Sequence, residues 1–212
     1  MNFIQKAFHD GGPVMYVILF IGIITLLLII ERFIKLKEMS INKKEFMDNI
    51  AASVLRGDLR QAIAACDAKP APLTATIKAG LVQVLNRRPD EEVQVAMDAS
   101  VLRETPKLEG WSSFLAVNGN IAVLAGLLGT ILGMIKSFSA VAAADPAEKA
   151  VKLSEGISHA LNATGFGLLV AIIAIVAYGY FQLRIQRAEN ELHESSMTLL
   201  NLVVSNRDKM KD

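Results

Sequence analysis

Three stretches of this chain, residues 11–30, 110–135 and 156–183, contain no Asp, Glu, Lys or Arg. Each supplies the roughly 20 apolar residues needed to cross a hydrocarbon core. In lipid every backbone N–H and C=O must be paired within the protein, so spans of this kind fold as helices. Three such helices in 212 residues that are 52% hydrophobic would leave a soluble helical core little polar surface for water. The expected class is therefore an all-α membrane protein with three transmembrane helices. The second and third windows exceed the minimum length, so those helices tilt or protrude. The first is not a signal peptide. It has no small-x-small cleavage site, and its charged flank (Glu31, Arg32, Lys35, Lys37) follows the apolar run. It is expected to stay as an anchor.

Orientation follows from the basic residues. Residues 1–12 carry one Lys or Arg, 32–109 carry thirteen, 137–155 carry two and 184–212 carry five. Lys and Arg mark the cytoplasmic side. The expected layout is an outer amphipathic helix over 1–10 (Phe3, Ile4, Ala7, Phe8), span one over 11–31, and a cytoplasmic helical domain over 32–110. Span two follows over 111–138, an outer loop over 139–155, span three over 156–183 and a cytoplasmic helix over 184–212. Spans two and three are expected to extend into the cytoplasmic bundle. Pro13 suits a first helical turn, and Trp111 suits the membrane–water interface. In the cytoplasmic segment Ile41, Phe46, Ile50, Val54 and Leu55 form a stripe, Gly57 stops it, and Asp58 caps the next helix. The tail keeps a stripe of Leu192, Leu199, Leu202 and Val203.

The chemistry is defined first by what the windows lack. With no acid inside a span, the chain has no carboxylate relay of its own for protons. Net charge is +1, which gives no basic field for nucleic acid. Cys66 is the only cysteine, so an intrachain disulfide and zinc spacing are both excluded. No nucleotide loop, hydrolase elbow or metal motif occurs, and neither a cofactor nor enzymatic chemistry is expected. Asp67, Asp90, Glu91, Glu92 and Asp98 read as solvated helix faces.

What the windows do hold is small residues. Ala122, Gly126, Gly129 and Gly133 share one face of span two, and Ala160, Thr164, Gly167, Ala171 and Ala174 share one face of span three. Membrane helices lack a hydrophobic drive toward each other, so small residues allow the close approach that packs them. The two faces either pack on one another or line a space for water or another helix. Thr130 lies nine residues before the outer loop and Thr164 nine after it. At 1.5 Å per residue the two hydroxyls share one depth in the outer half of the bilayer. They form a candidate polar lining, unless each merely bonds the carbonyl four residues earlier on its own helix. His159, the one titratable group in a span that changes charge near neutral pH, lies about 140° around the helix from Thr164. It is either an interfacial residue or part of the ion path. Lys136 is expected to snorkel to the headgroups.

Three segments resemble the MotA/TolQ/ExbB proton-channel family in its three-span TolQ/ExbB-like branch. "GGPVMYVILFIGIITLLLIIER" is similar to the first span of that family, "GLLGTILGMIKSF" to its second-span signature and "GISHALNATGFGLLVAIIAIVAY" to its third. The resemblance implies a homopentamer around a central pore in the bacterial inner membrane, with the outer side periplasmic. It further implies a dimer of a single-span ExbD/TolR-like partner whose intramembrane Asp carries the ion, and a stator that couples proton motive force to mechanical work on the envelope. H⁺ is the expected ion and Na⁺ the alternative. On the motif match, Thr130 and Thr164 would be the hydroxyls near that Asp. The chain departs from the pattern at His159, where the family often has Glu, and at Val123 and Ile173, where it commonly has Pro. A passive scaffold that anchors the partner without conducting is the competing reading. A lone solute transporter would need inverted repeats and broken spans, which the sequence lacks.

Overall fold

A computed structural model describes residues 12–207. The amphipathic helix expected over 1–10 lies outside the described residues, as do residues 208–212. The described chain is helical throughout, without strands: α1 (Gly12–Met39), α2 (Lys43–Leu55), α3 (Leu59–Asp67), α4 (Pro72–Leu85), α5 (Asp90–Glu109), α6 (Ser112–Ala142) and α7 (Lys149–Asn206). It divides into two units, one within Met1–Arg32 and Trp111–Tyr180, the other within Phe33–Gly110 and Phe181–Asp212. α1 and α7 contribute residues to both.

The first unit inverts the ordinary rule of burial. Its small residues are inside: Ala122, Ala160, Ala163, Ala171 and Ala174 are all at most 2% exposed. Its large ones are outside, among them Phe20, Leu27, Leu124, Leu161, Ile172 and Val176. Of the most apolar window in each of the three long helical segments only 22%, 22% and 28% is buried. In water such a surface would drive association; facing lipid tails it carries no penalty, and packing is then left to shape. Met15, Ile18 and Ile21 of α1 are buried, and Ile21 joins Ala122 and Ala171 in the centre of the unit. Thr25 is buried too, and donates to the Ile21 carbonyl at 2.9 Å, which satisfies its hydroxyl without a partner helix. At the end of this part of α1, Arg32 is 2% exposed and its guanidinium forks the Glu31 carboxylate at 2.6 and 2.7 Å.

The helices around the 139–155 segment are longer than hydropathy indicates. α6 runs to Ala142 and α7 begins at Lys149, so only 143–148 lies outside a helix. A membrane span ends where apolarity ends, but a helix continues as long as its residues favour one. Here Ala, Lys and Glu do, and Glu148 and Lys152 pair at 2.9 Å one turn apart.

The second unit has a conventional apolar core. Leu73, Ile77, Leu81 and Val84 of α4 face Val93, Met97, Val101 and Leu108 of α5, with Ile50 and Val54 of α2 and Leu59, Ala62 and Cys66 of α3. Ile185, Leu192, Leu199 and Val203 of α7 complete it, spaced by seven, seven and four. Each fully buried aliphatic side chain contributes about 1.5–3 kcal/mol. Gly80 makes room for Met97, whose Sδ would lie 2.7 Å from a methyl there. Asn42 and Asp58 cap α2 and α3 by accepting from the Glu45 and Gln61 N–H groups. Gly57, with φ 77°, ends α2 as the sequence indicates. Leu55 does not belong to the buried stripe of α2: it is half exposed, because it stands about 100° around the helix from buried Val54. The acidic residues are not all merely solvated. Asp67 pairs with Lys78 at 2.5 Å, Asp90 with Arg207 at 3.2 Å and Glu92 with Arg88 at 3.6 Å.

Candidate functional site: two threonines on a glycine seam

The two small-residue faces meet within one chain. A methyl at Gly129 would lie 2.6 Å from Ala163 Cβ, and one at Gly133 would lie 2.8 Å from Ala160 Cβ. A methyl at Gly126 would lie 3.1 Å from Thr164 Cα, and one at Gly167 would lie 2.6 Å from the Ala122 carbonyl oxygen. Real Cβ atoms essentially never approach other atoms within 3.0 Å, so Gly129, Gly133 and Gly167 must lack one for α6 and α7 to lie this close, while Gly126 at 3.1 Å is tight. The glycines of α6 are thus taken up by α7 of the same chain.

The seam extends beyond the predicted residues. Gly119, one turn before Ala122, packs on Ala171 and Ala174. Ser137, one turn after Gly133, is buried against Gly156 and donates to the Gly133 carbonyl at 2.7 Å. Continuing the same helical period from Ala122 and Gly133 finds both. Ala163, missing from the expected stripe, stands with Ala160 and Gly167 at i, i+3 and i+7, so the same helical spacing that groups Gly126, Gly129 and Gly133 finds it as well.

Within this seam Thr130 and Thr164 come together. Thr164 Oγ1 donates across the helix pair to the Gly126 carbonyl at 2.9 Å, and Thr130 Oγ1 stands 3.4 Å from it. Thr130 donates to the Leu127 carbonyl of its own helix at 2.6 Å. A hydroxyl has one proton and two lone pairs. Both protons are committed to backbone carbonyls, so what the pair offers a visitor is oxygen lone pairs. Both residues are partly exposed, whereas the alanines and glycines around them are largely buried. The simple alternative, a threonine bonding back to its own helix, describes Thr130, though to the carbonyl three residues earlier rather than four, and does not describe Thr164, which bonds across the pair. His159 is not part of this pair: it is half-buried, five residues earlier on α7 and on another face. Trp111 is exposed and tilts against Phe114 with ring centroids 5.0 Å apart. The described residues hold no group of three or more His, Cys, Asp or Glu that could take a metal ion.

Three long apolar helices with a small-residue seam define a multi-span helical membrane protein. The profile of the MotA/TolQ/ExbB proton channel family matches residues 68–194, more than half of the chain, and the chain belongs to that family. Among relatives, the Tol-Pal system protein TolQ of Pseudomonas aeruginosa is 40% identical over 44% of this chain and 40% of its own length. A putative biopolymer transport protein ExbB homolog of Methanothermobacter thermautotrophicus is 29% identical over 86% of this chain and 64% of its own length. The biopolymer transport protein ExbB of Pseudomonas putida is 31% identical over 56% of this chain and 36% of its own. The chain thus spans between about a third and two thirds of the length of these relatives.

Proposed function

We propose that this protein is the channel-forming subunit of an inner-membrane energy transducer of the TolQ or ExbB kind, passing protons and converting the proton motive force into mechanical work on the envelope. Five copies surround two copies of a single-span partner similar to TolR or ExbD, and the partner brings the intramembrane Asp. The N-terminus faces the periplasm, while the 32–110 segment and the C-terminal part of α7 face the cytoplasm. The names of the relatives support the type of transducer; the positive-inside count supports the orientation.

One observation carries the reading: two hydroxyl oxygens at one level, their protons already committed, in the 110–135 and 156–183 windows, which hold no carboxylate. A carboxylate placed against such a wall is desolvated, which raises its pKa and favours the protonated form. The Thr130 and Thr164 lone pairs then accept from its O–H. The wall carries no charge that would trap the ion, so the partner's acid decides between H⁺ and Na⁺. Coupling is motion rather than covalent chemistry, and the subunit needs no cofactor.

The test is proton flux in vesicles containing the full chain and its cognate partner. Thr130→Val with Thr164→Val keeps shape and removes both oxygens. Flux falls by about tenfold or more, the factor that corresponds to about 1.4 kcal/mol, while partner binding is retained. Equal flux in the variant overturns the lining role, and a wild-type complex that binds its partner but passes no protons establishes the scaffold reading instead.

A further inference from the structure

The second unit contains a pocket of about 230 Å³ that the channel reading does not use. It is lined by the end of α1 (Leu36, Met39, Ser40), the start of α4 (Leu73), the end of α5 (Leu108) and one face of α7. That face presents Arg184, Arg187 and Glu191, at i, i+3 and i+7. The pocket is smaller than the roughly 300–1,000 Å³ typical of drug-sized ligands, a size suited to a headgroup rather than a whole lipid.

Its depth follows from the helices that line it. Leu183 is the last residue of the third charge-free window, and α7 continues unbroken through Arg184. At 1.5 Å per residue Arg187 stands about 6 Å beyond Leu183 and Glu191 about 12 Å beyond it. Leu36 comes five residues, about 8 Å, after Glu31, the first charge following span one. The headgroup layer occupies about 5–8 Å on each side of the hydrocarbon core. By this count the backbone of Arg184 stands at the edge of the hydrocarbon, that of Arg187 at headgroup level and that of Glu191 toward the water, and an arginine stem is long enough to carry its head outward to the phosphates.

We propose that this pocket binds a zwitterionic phospholipid whose headgroup joins a phosphate to a primary ammonium, as in phosphatidylethanolamine, from the cytoplasmic leaflet. The order of charges along α7, two cations and then an anion, complements the order met on leaving the bilayer through that headgroup. Arg184 and Arg187 take the phosphate, for which guanidinium forks are suited. Glu191 accepts from the ammonium, which a trimethylated choline headgroup could not satisfy by hydrogen bonding. Leu36, Met39 and Leu108 offer an apolar wall to the glycerol end. A phosphatidylglycerol headgroup would meet the same arginines but would offer Glu191 only neutral hydroxyls in place of a cation, so the carboxylate is the element that selects. The inference requires only that the chain spans the membrane in the stated orientation, and is independent of conduction.

The experiment is native mass spectrometry of the purified full chain, equilibrated in detergent with equal amounts of phosphatidylethanolamine, phosphatidylglycerol and phosphatidylcholine. Wild type retains phosphatidylethanolamine about tenfold or more over phosphatidylcholine, and in preference to phosphatidylglycerol. Arg184→Gln with Arg187→Gln loses both phosphatidylethanolamine and phosphatidylglycerol. Glu191→Gln, a solvent-exposed change, abolishes the preference between those two. Equal retention of all three lipids by wild type, a preference for phosphatidylglycerol, or an unchanged ethanolamine preference in Glu191→Gln overturns the proposal.

Discussion

Gly165 and Gly167 stand two residues apart on α7, and their surroundings could hardly differ more. A methyl at Gly165 meets nothing within 4 Å, whereas one at Gly167 would press on the Ala122 carbonyl at 2.6 Å and on Gly126 at 3.1 Å. Backbone atoms cannot rotate aside as a side chain can. Gly167→Ala is therefore expected to cost about 1–3 kcal/mol through overpacking, and Gly165→Ala to be neutral or slightly stabilising through helix propensity. Thermal unfolding of the two detergent-purified variants checks this; equal melting temperatures would contradict the seam. At Cys66 burial, helped by the Asp67 carboxylate and opposed by Lys78, pushes the thiol up from 9.0 to about 12. A raised folded-state pKa means that the folded protein favours the neutral thiol. That contribution to stability is complete below pH 9 and is lost as pH rises toward 12. Native protein should consequently resist alkylation by iodoacetamide at pH 8 and react once unfolded, while Cys66→Ala should flatten the alkaline decline of stability measured by denaturant titration. A native thiol that reacts as fast as the unfolded one contradicts this placement.

At the scale of the element, the junction of α5 with α6 is set by a single residue. Gly110 adopts φ 44° and ψ −128°, a region that side chains bearing a Cβ avoid. Pro106, inside α5, has already removed one backbone donor there. Gly110→Ala is expected to destabilise by about 1–3 kcal/mol, the usual cost of a residue forced into a sparsely populated conformation, with circular dichroism melts as the readout. An unchanged melt would show that the junction straightens into continuous helix without penalty. The spans themselves were legible in the sequence because lipid imposes a length and excludes charge. The level shared by Thr130 and Thr164 was legible because rise per residue is constant along a helix. Two things were not. The ends of α6 and α7 escaped because helix propensity outlasts hydropathy at Ala142 and Lys149. The partner of the glycine face was left open between span three and a lined space, because a stripe of small residues states that something comes close without saying which helix. Only the fit of Gly129 to Ala163 and of Gly133 to Ala160 assigns it to α7 of the same chain.

For the molecule as a whole, the decisive asymmetry is in charge rather than in packing. The exposed apolar faces of the first unit are compatible with either orientation in a bilayer, since lipid tails are alike in both leaflets. Thirteen basic residues over 32–109 against two over 137–155 are not. On the proposed orientation the first group is retained on the side of synthesis, and the second is sparse enough to be carried across. In the variant Cys66→Ser, a cysteine introduced at Asp145, which is exposed and outside the helices, should react with a membrane-impermeant maleimide in intact spheroplasts. One introduced at Asp98, on the exposed face of α5, should react only after permeabilisation. The reverse pattern would place the 143–148 connection in the cytoplasm. The lipid pocket of the second unit would then face the wrong leaflet, and the Thr130–Thr164 level would lie nearer the cytoplasm than the periplasm. Labelling on both sides for either position would indicate mixed insertion, which a bias of thirteen to two makes unfavourable.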